Sequence, residues 1–167
     1  MALTTYTPGE VLTAASLNDN FTFAAANPVS KIAQVSQSTY ATSTSSTSTS
    51  YVTSGLNASI TPTLNTSKIL VMVTMPANTQ SFTGDIKVTL FRGTVAGTNL
   101  LGANGFGQLY TASSNDLQAG TSINFLDSPA TTSATTYTVG FKSGSGQTCI
   151  VQVGNTTSSI TLIEVLA

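Results

Sequence analysis

The sequence predicts an all-β sandwich, and three observations support this prediction. Short segments with alternating apolar side chains recur along the chain, and turn residues separate them at regular spacing. The polar residues are mainly Ser, Thr, Asn, Gln and Gly, which suit strands and turns. The chain has 167 residues, which is enough for one domain with its own core and a short appendage.

The C-terminal segment, residues 159–167, predicts a strand that is covered on both sides. One face carries Ile160, Leu162, Glu164 and Leu166, and the other carries Thr161, Ile163 and Val165. Side chains on a strand point to opposite faces in turn, so apolar groups on both faces indicate two covered faces. We therefore expect this strand near the middle of a sheet, with its second face against another sheet or another subunit.

Composition limits the possible partners. Charged residues make up 7% of the chain, and the net charge is −1 with no basic cluster. Because phosphate binding uses clustered Lys and Arg, we do not expect nucleic acid as a partner. So low a charge also removes the repulsion that keeps free proteins apart, which favours a subunit of an assembly.

Cellular location can be estimated from three further features. The one cysteine, Cys149, lies in an apolar run and is expected to be a buried free thiol. The N-terminus has neither a basic segment nor a long apolar segment, so no signal peptide is expected. No stretch reaches the ~20 apolar residues of a membrane helix, so we expect no membrane insertion. These features together predict a protein that is made in a cytoplasm.

The first 30 residues are expected to form a unit of their own. A turn at Pro8-Gly9 precedes Thr13, which can cap a short helix over residues 14–26. Leu17 and Phe21 recur at helical spacing and give this helix one apolar stripe. The sequence therefore predicts an N-terminal leader over residues 1–30 and a β domain over residues 31–167.

Within the β domain, the first strand is expected over residues 31–37, with Ile32 and Val35 as the first buried side chains. The Ser/Thr-rich stretch 39–50 is interpreted as strand, loop and strand, and a disordered linker is the alternative. Later strands are expected over residues 56–60, 68–75, 85–92, 99–102, 121–126, 135–142, 148–153 and 159–166. Residues 68–75 form the longest apolar run, which predicts a central strand that ends at Pro76.

The sequence offers little catalytic chemistry. It contains no His, which removes the usual general base and the commonest metal ligand. The carboxylates are spread singly; Asp116 and Asp127 could meet in loops, but we expect them to be surface turn residues. We therefore predict no enzymatic activity, no cofactor and no metal site.

Three residues are singled out for other roles. Arg92 and Glu164 each interrupt an otherwise apolar strand, and a buried charge needs a partner. We expect them to pair with each other or across subunits; the alternative is that each reaches solvent at a strand end. Tyr110 lies in a segment rich in Gly, Asn and Ser, where an aromatic ring could stack on a sugar.

The order of strands and turns over roughly residues 31–167 resembles the antiparallel jelly roll of the trimeric TNF/C1q-like domains. That resemblance implies that the N- and C-terminal strands lie side by side on an inner sheet. In such domains the inner sheet packs against two sister subunits around a threefold axis. The implied homotrimer contact falls on Leu70, Met72, Ile163 and Val165.

Residues 6–21 resemble the short leader, of the form G-x-V-L-T-A-A-x-L-N-x-x-F, at the start of tailed-bacteriophage fibre and virion-appendage proteins. The matching positions are Gly9, Val11, Leu12, Thr13, Ala14, Ala15, Leu17, Asn18 and Phe21. In that family the leader usually opens a long fibre, whereas here one small domain follows directly, which favours a compact knob or decoration protein. The candidates for docking on the virion are Val11, Leu12, Leu17, Phe21 and Phe23.

Together, these resemblances imply a non-enzymatic bacteriophage structural protein located in the virion. It would be a trimeric head decoration, head-fibre or short tail-fibre protein that docks on other capsid or tail proteins through its N-terminus. The alternative is a carbohydrate-binding or receptor-binding adhesin domain, with a host-surface glycan as its partner.

Overall fold

The computed structural model describes residues 5, 7–11, 13–26, 31–79, 84–111 and 117–166. The chain divides into two compact units, residues 1–31 and residues 32–167. The first unit contains a helix, and the second is built from strands.

The helix of the first unit, α1, spans Ala14–Ala26 and so has the predicted bounds. The Thr13 side-chain oxygen accepts a hydrogen bond from the Ser16 amide at 3.2 Å, which satisfies one of the unpaired donors at the helix start. The predicted cap is therefore confirmed.

The second unit contains eleven strands among its described residues. They are β1 (Ile32–Tyr40), β2 (Thr44–Ser46), β3 (Val52–Ile60), β4 (Lys68–Thr79), β5 (Gly84–Arg92), β6 (Thr98–Asn99), β7 (Gly107–Thr111), β8 (Leu117–Asp127), β9 (Thr135–Ser143), β10 (Cys149–Val151) and β11 (Ser158–Val165). Sheet A contains β1, β2, β4, β8, β10 and β11, and sheet B contains β3, β5, β6, β7 and β9. Every pairing between them is antiparallel.

The strand order is that of a jelly roll. Three pairs of segments act as single strands. Strands β6 and β7 both pair with β5, and β10 and β11 both pair with β4. Strands β1 and β2 pair with β11 and β10 in turn and so follow the same combined strand. Counted in this way, the described residues form two four-stranded sheets of order 1-8-3-6 and 2-7-4-5. Two packed sheets with eight strands in this order define an antiparallel jelly-roll sandwich, as predicted.

The core lies between the two sheets. Alternation along the sequences of β5 and β9 predicts six inward side chains, and all six are buried: Ile86, Val88, Leu90, Tyr137, Val139 and Phe141. They face Ile69, Val71, Val73, Met75, Ile160 and Leu162 of sheet A. Cys149 is also a buried free thiol, as its apolar neighbours predicted.

Strand β1 corrects one prediction. Ile32 and Val35, expected to be buried, are 54% and 60% exposed. An irregularity in the pairing with β11 between Ile32 and Gln34 shifts the alternation. From Gln34 onward the pairing is regular: Gln34 and Ser36 lie opposite the buried Glu164 and Leu162, so Val35 faces outward. The irregularity brings Ile32 to the same outward side, although it is three residues away from Val35.

Strand β4 corrects a second prediction, because it continues through Pro76 to Thr79. The Pro76 position coincides with the change of partner from β11 to β10 along one edge of β4. The chain between these partners turns at Gln152, whose backbone amide donates to the Pro76 carbonyl at 3.1 Å. A proline is tolerated at such an irregular point because its missing N–H breaks no regular pair.

Candidate functional site

The outward face of sheet A carries the predicted subunit-interface residues. Leu70 and Met72 lie on β4, and Ile163 and Val165 lie on β11. Burial alternates along both strands, and the buried positions are the neighbours of these four residues, so all four point away from the core. The structure therefore places these four residues on one side of one sheet.

The pairing register aligns apolar residues from four neighbouring strands in one row. Val35 of β1 pairs with Ile163 of β11, and Ile163 pairs with Leu70 of β4. Leu70 in turn pairs with Leu126 of β8. This row crosses the whole width of sheet A, and cross-strand neighbours on one face are close enough to act as one surface.

The row is part of a larger surface that we call the apolar face, made of Ile32, Val35, Leu70, Met72, Leu126, Ile163 and Val165. Leu126 is 50% exposed and Met72 is 43% exposed. The other end of the same sheet face is polar, with Thr39, Ser159, Thr74 and Ser122 in register. The apolar residues are thus concentrated at one end of the face, and a contiguous exposed apolar surface is typical of an interaction site.

At this end of the sandwich Glu164 is fully buried on the inward face of β11. Its Oε1 atom accepts hydrogen bonds from the Thr63 amide at 2.6 Å and the Thr63 hydroxyl at 2.8 Å. Its Oε2 atom accepts one from the Gln34 side-chain amide at 2.7 Å. Glu164 therefore joins β1, β11 and the loop between β3 and β4.

These contacts keep Glu164 charged. Burial alone would raise the pKa of its carboxyl, but the nearby Ser67 hydroxyl and the hydrogen bonds from Gln34 and Thr63 outweigh burial and lower the pKa to about 2. A carboxylate that accepts several hydrogen bonds is stabilised in its charged form even without a cation beside it.

Arg92 pairs with Asp127 rather than with Glu164. The Arg92 Nε atom lies 3.2 Å from Asp127 Oδ2, and the Tyr137 hydroxyl donates a hydrogen bond to the same oxygen at 2.7 Å. Asp127 ends β8 of sheet A, while Arg92 and Tyr137 belong to sheet B. This cluster therefore joins the two sheets.

Two predictions are corrected here. The expected pair of Arg92 with Glu164 does not form within this chain, because neutral donors satisfy Glu164 and Asp127 satisfies Arg92. Asp127, expected in a surface turn, is buried at a strand end. Asp116 lies outside the described residues.

Replacing Arg92 with Met is expected to lower the free energy of unfolding by about 1–2 kcal/mol, because the buried Asp127 carboxylate then loses its cation and keeps the bond from Tyr137. The loss is moderate because the Arg92 side chain is 32% exposed. Urea unfolding at pH 7 measures it. Lys31→Met, which removes an exposed cation that precedes β1, is the control; equal effects of the two variants would contradict the importance of the Arg92–Asp127 pair.

The remaining candidates divide between exposed and undescribed residues. Val11, Leu17 and Phe21 of the first unit are all exposed, with Phe21 at 65%. Leu12 and the side chain of Phe23 lie outside the described part of the structure. Tyr110 lies on β7 and is 58% exposed.

Among the described residues, His, Cys, Asp and Glu form no group of three that could hold a metal ion. In the same part of the chain, no helix has the length and apolar character needed to cross a membrane.

Comparison with protein-family models and with curated proteins gives no match. Among solved structures, a chain from the structure of infectious bursal disease virus Gx strain is 12% identical, with a TM-score of 0.43 over 80% of this chain and 37% of that chain. A chain from the Gt strain is 12% identical, with a TM-score of 0.39 over 81% of this chain and 39% of that chain. This chain thus spans less than two fifths of either viral chain, and the fold assignment rests on the strand order.

Proposed function

We propose that this chain is a non-enzymatic structural subunit of a bacteriophage virion, a homotrimer that docks through its N-terminal unit. The observation that carries the proposal is the apolar row that crosses the outward face of sheet A. A solvated sheet face carries polar residues, whereas this one presents apolar side chains on four neighbouring strands.

Strand β1 adds support. A solvated edge strand turns its apolar side chains inward and its polar ones outward, and β1 does the reverse around Val35. Val35 points outward and is 60% exposed, while Gln34 and Ser36 face the sandwich. Turning polar groups inward and apolar groups outward is unfavourable for an isolated chain, since exposed apolar area costs about 25 cal/mol per Å² relative to burial. A partner on the apolar face removes this cost.

A second copy of the chain is the partner we propose for the apolar face. The first and last strands of the domain, β1 and β11, are neighbours in sheet A and contribute Val35 and Ile163 to the row. This is the arrangement that the resemblance to trimeric jelly rolls implies. Among the described residues of this face only Lys68, opposite Val165, is charged, and so low a charge suits burial against two sister subunits.

The test is the solution mass of the full-length chain, measured by light scattering after size exclusion. We expect a mass near three times 17.1 kDa. A mass of two chains would overturn the threefold arrangement but retain an interface, and a monomer would contradict the proposal as a whole.

The exposed stripe of α1 is the proposed contact with the virion, in line with the leader resemblance. We expect the double variant Leu17→Ser/Phe21→Ser to keep the oligomeric mass and to be lost from particles, because docking would bury both side chains. Mass spectrometry of purified virions measures its incorporation. Ser16→Ala, which changes no apolar side chain of α1, is the control. Normal incorporation of the double variant would remove α1 as the docking element.

A further inference from the structure

A pocket of about 370 Å³ lies on the outward face of sheet B, the sheet that does not carry the apolar face. It is lined by Thr53, Asn57, Thr94, Val95, Thr136 and Thr138. Its size is at the lower end of the ~300–1,000 Å³ of small-molecule sites.

A bulge in β3 opens this pocket. Thr53 pairs with Gly140 and Asn57 pairs with Thr138, so three residues of β3 stand opposite a single residue of β9. Gly55, at the centre of the bulge, has a φ of +83°, and an added Cβ would lie 2.4 Å from the Tyr40 ring. Only glycine fits there, and the bulge sets Thr53 and Asn57 apart at the pocket wall.

The opposite wall is a turn held firmly in place. Gly93 donates its amide hydrogen to the Thr136 carbonyl at 2.7 Å and accepts a hydrogen bond from the Thr138 hydroxyl at 2.7 Å. These two bonds fix Thr94 and Val95 next to β9. The pocket is therefore formed before any ligand arrives, which lowers the entropy cost of binding.

The polar atoms of the lining have spare hydrogen-bonding capacity. Asn57 donates one amide hydrogen to the Gly55 carbonyl at 3.2 Å, which leaves its side-chain oxygen and its second hydrogen. Thr53 accepts a bond from the Gly55 amide at 3.0 Å, so its own hydroxyl hydrogen is available. The Thr138 hydroxyl donates to Gly93 and keeps an acceptor position.

These features together point to one class of ligand. No residue that lines the pocket is ionisable, so neither a phosphate nor a carboxylate would find a counter-charge. Threonine methyl groups and Val95 supply apolar lining, and the Asn57 amide and the threonine hydroxyls supply donors and acceptors. We propose that the pocket binds a single neutral pyranose ring, whose C–H face packs on the methyl groups and whose adjacent hydroxyls bond to Asn57 and Thr53.

Saturation-transfer NMR with the full-length chain tests this site, with glucose, galactose and N-acetylglucosamine as separate probes. We expect transfer to the ring protons of at least one of the three sugars. Asn57→Ala is expected to weaken that binding about tenfold, because one pair of hydrogen bonds is lost. The control Asn65→Ala removes the same exposed amide from a loop outside the pocket and should bind as the wild type does.

Three results would overturn the proposal: no transfer to any of the three sugars, unchanged binding by Asn57→Ala, or glucuronate binding more tightly than glucose. The last would show a cation at the site. None of these results depends on the solution mass. A monomer that binds glucose would contradict the proposed homotrimer alone, and a trimer that binds no sugar would contradict the sugar site alone.

Discussion

Leu70→Lys is expected to convert the trimer into monomers. Leu70 lies in the middle of the apolar row, between Ile163 and Leu126, so its side chain would be buried against a sister subunit. Burying an unpaired ammonium in an interface costs about 3 kcal/mol or more per chain. The three copies in each trimer should weaken association more than 100-fold.

The monomer itself should tolerate Leu70→Lys, because the new side chain points outward and can reach water. Light scattering at several protein concentrations gives the mass, and circular dichroism checks that the fold is kept. Thr98→Lys adds the same charge at an exposed position of β6 in sheet B and should leave the mass unchanged.

A Leu70→Lys protein with the same mass as the wild type would exclude the apolar face as the subunit contact. Loss of mass in Thr98→Lys as well would indicate that charge anywhere on the surface disrupts association. An interface on sheet A is supported only if Leu70→Lys lowers the mass and Thr98→Lys does not.

Glu164→Gln is expected to lower the free energy of unfolding by about 3 kcal/mol at neutral pH. Glutamine has the same shape, but its amide group must place a donor against the Gln34 amide or against the two donors of Thr63. A buried donor that faces another donor loses its hydrogen bond and its solvation.

The pH dependence of this effect follows from the lowered pKa of Glu164. The folded carboxyl has a pKa of about 2 and the unfolded one about 4.5, so the charged form favours folding. The stabilisation is fully present above about pH 4.5 and is lost as the pH falls towards 2. The difference between wild type and Glu164→Gln should therefore be constant from pH 7 to 5 and shrink below that.

Urea unfolding at pH 7, 5, 3.5 and 2.5, at one protein concentration, measures this difference. Glu10→Gln makes the same change at an exposed carboxylate and should stay within about 0.5 kcal/mol of the wild type. A Glu164→Gln protein with wild-type stability at pH 7, or with an unchanged slope between pH 5 and 2.5, would contradict the role of this carboxylate.

Local pattern was enough to predict many of the elements, although not β7. Helix α1 and its Thr13 cap, the inward residues of β5 and β9 and the central position of β11 all follow from periodicity and turn residues. These features depend on neighbours in the sequence, since a period of two or of 3.6 shows directly which side chains share a face.

The candidate sites could be predicted only in part. Glu164 was recognised as a charge that needs partners, yet those partners, Gln34 and Thr63, are 130 and 101 positions away. The pairing of Arg92 with Asp127, and the pocket around Asn57, likewise need the packing of two sheets. Alternation within one strand says nothing about which distant strand lies opposite.

By itself, the sequence determined the all-β class, the bounds of α1, those of β5, β9 and β11 to within one residue, and the apolar residues on both faces of β4 and β11. Tertiary structure decided which face of each strand is covered, because the register with β11 places Val35 opposite the outward Ile163, and the irregularity at the start of β1 turns Ile32 to the same side. It also aligned Val35, Ile163, Leu70 and Leu126 in one row. Strand periodicity sorts residues into two faces, but only the pairing of strands distant in sequence fixes which face the core takes.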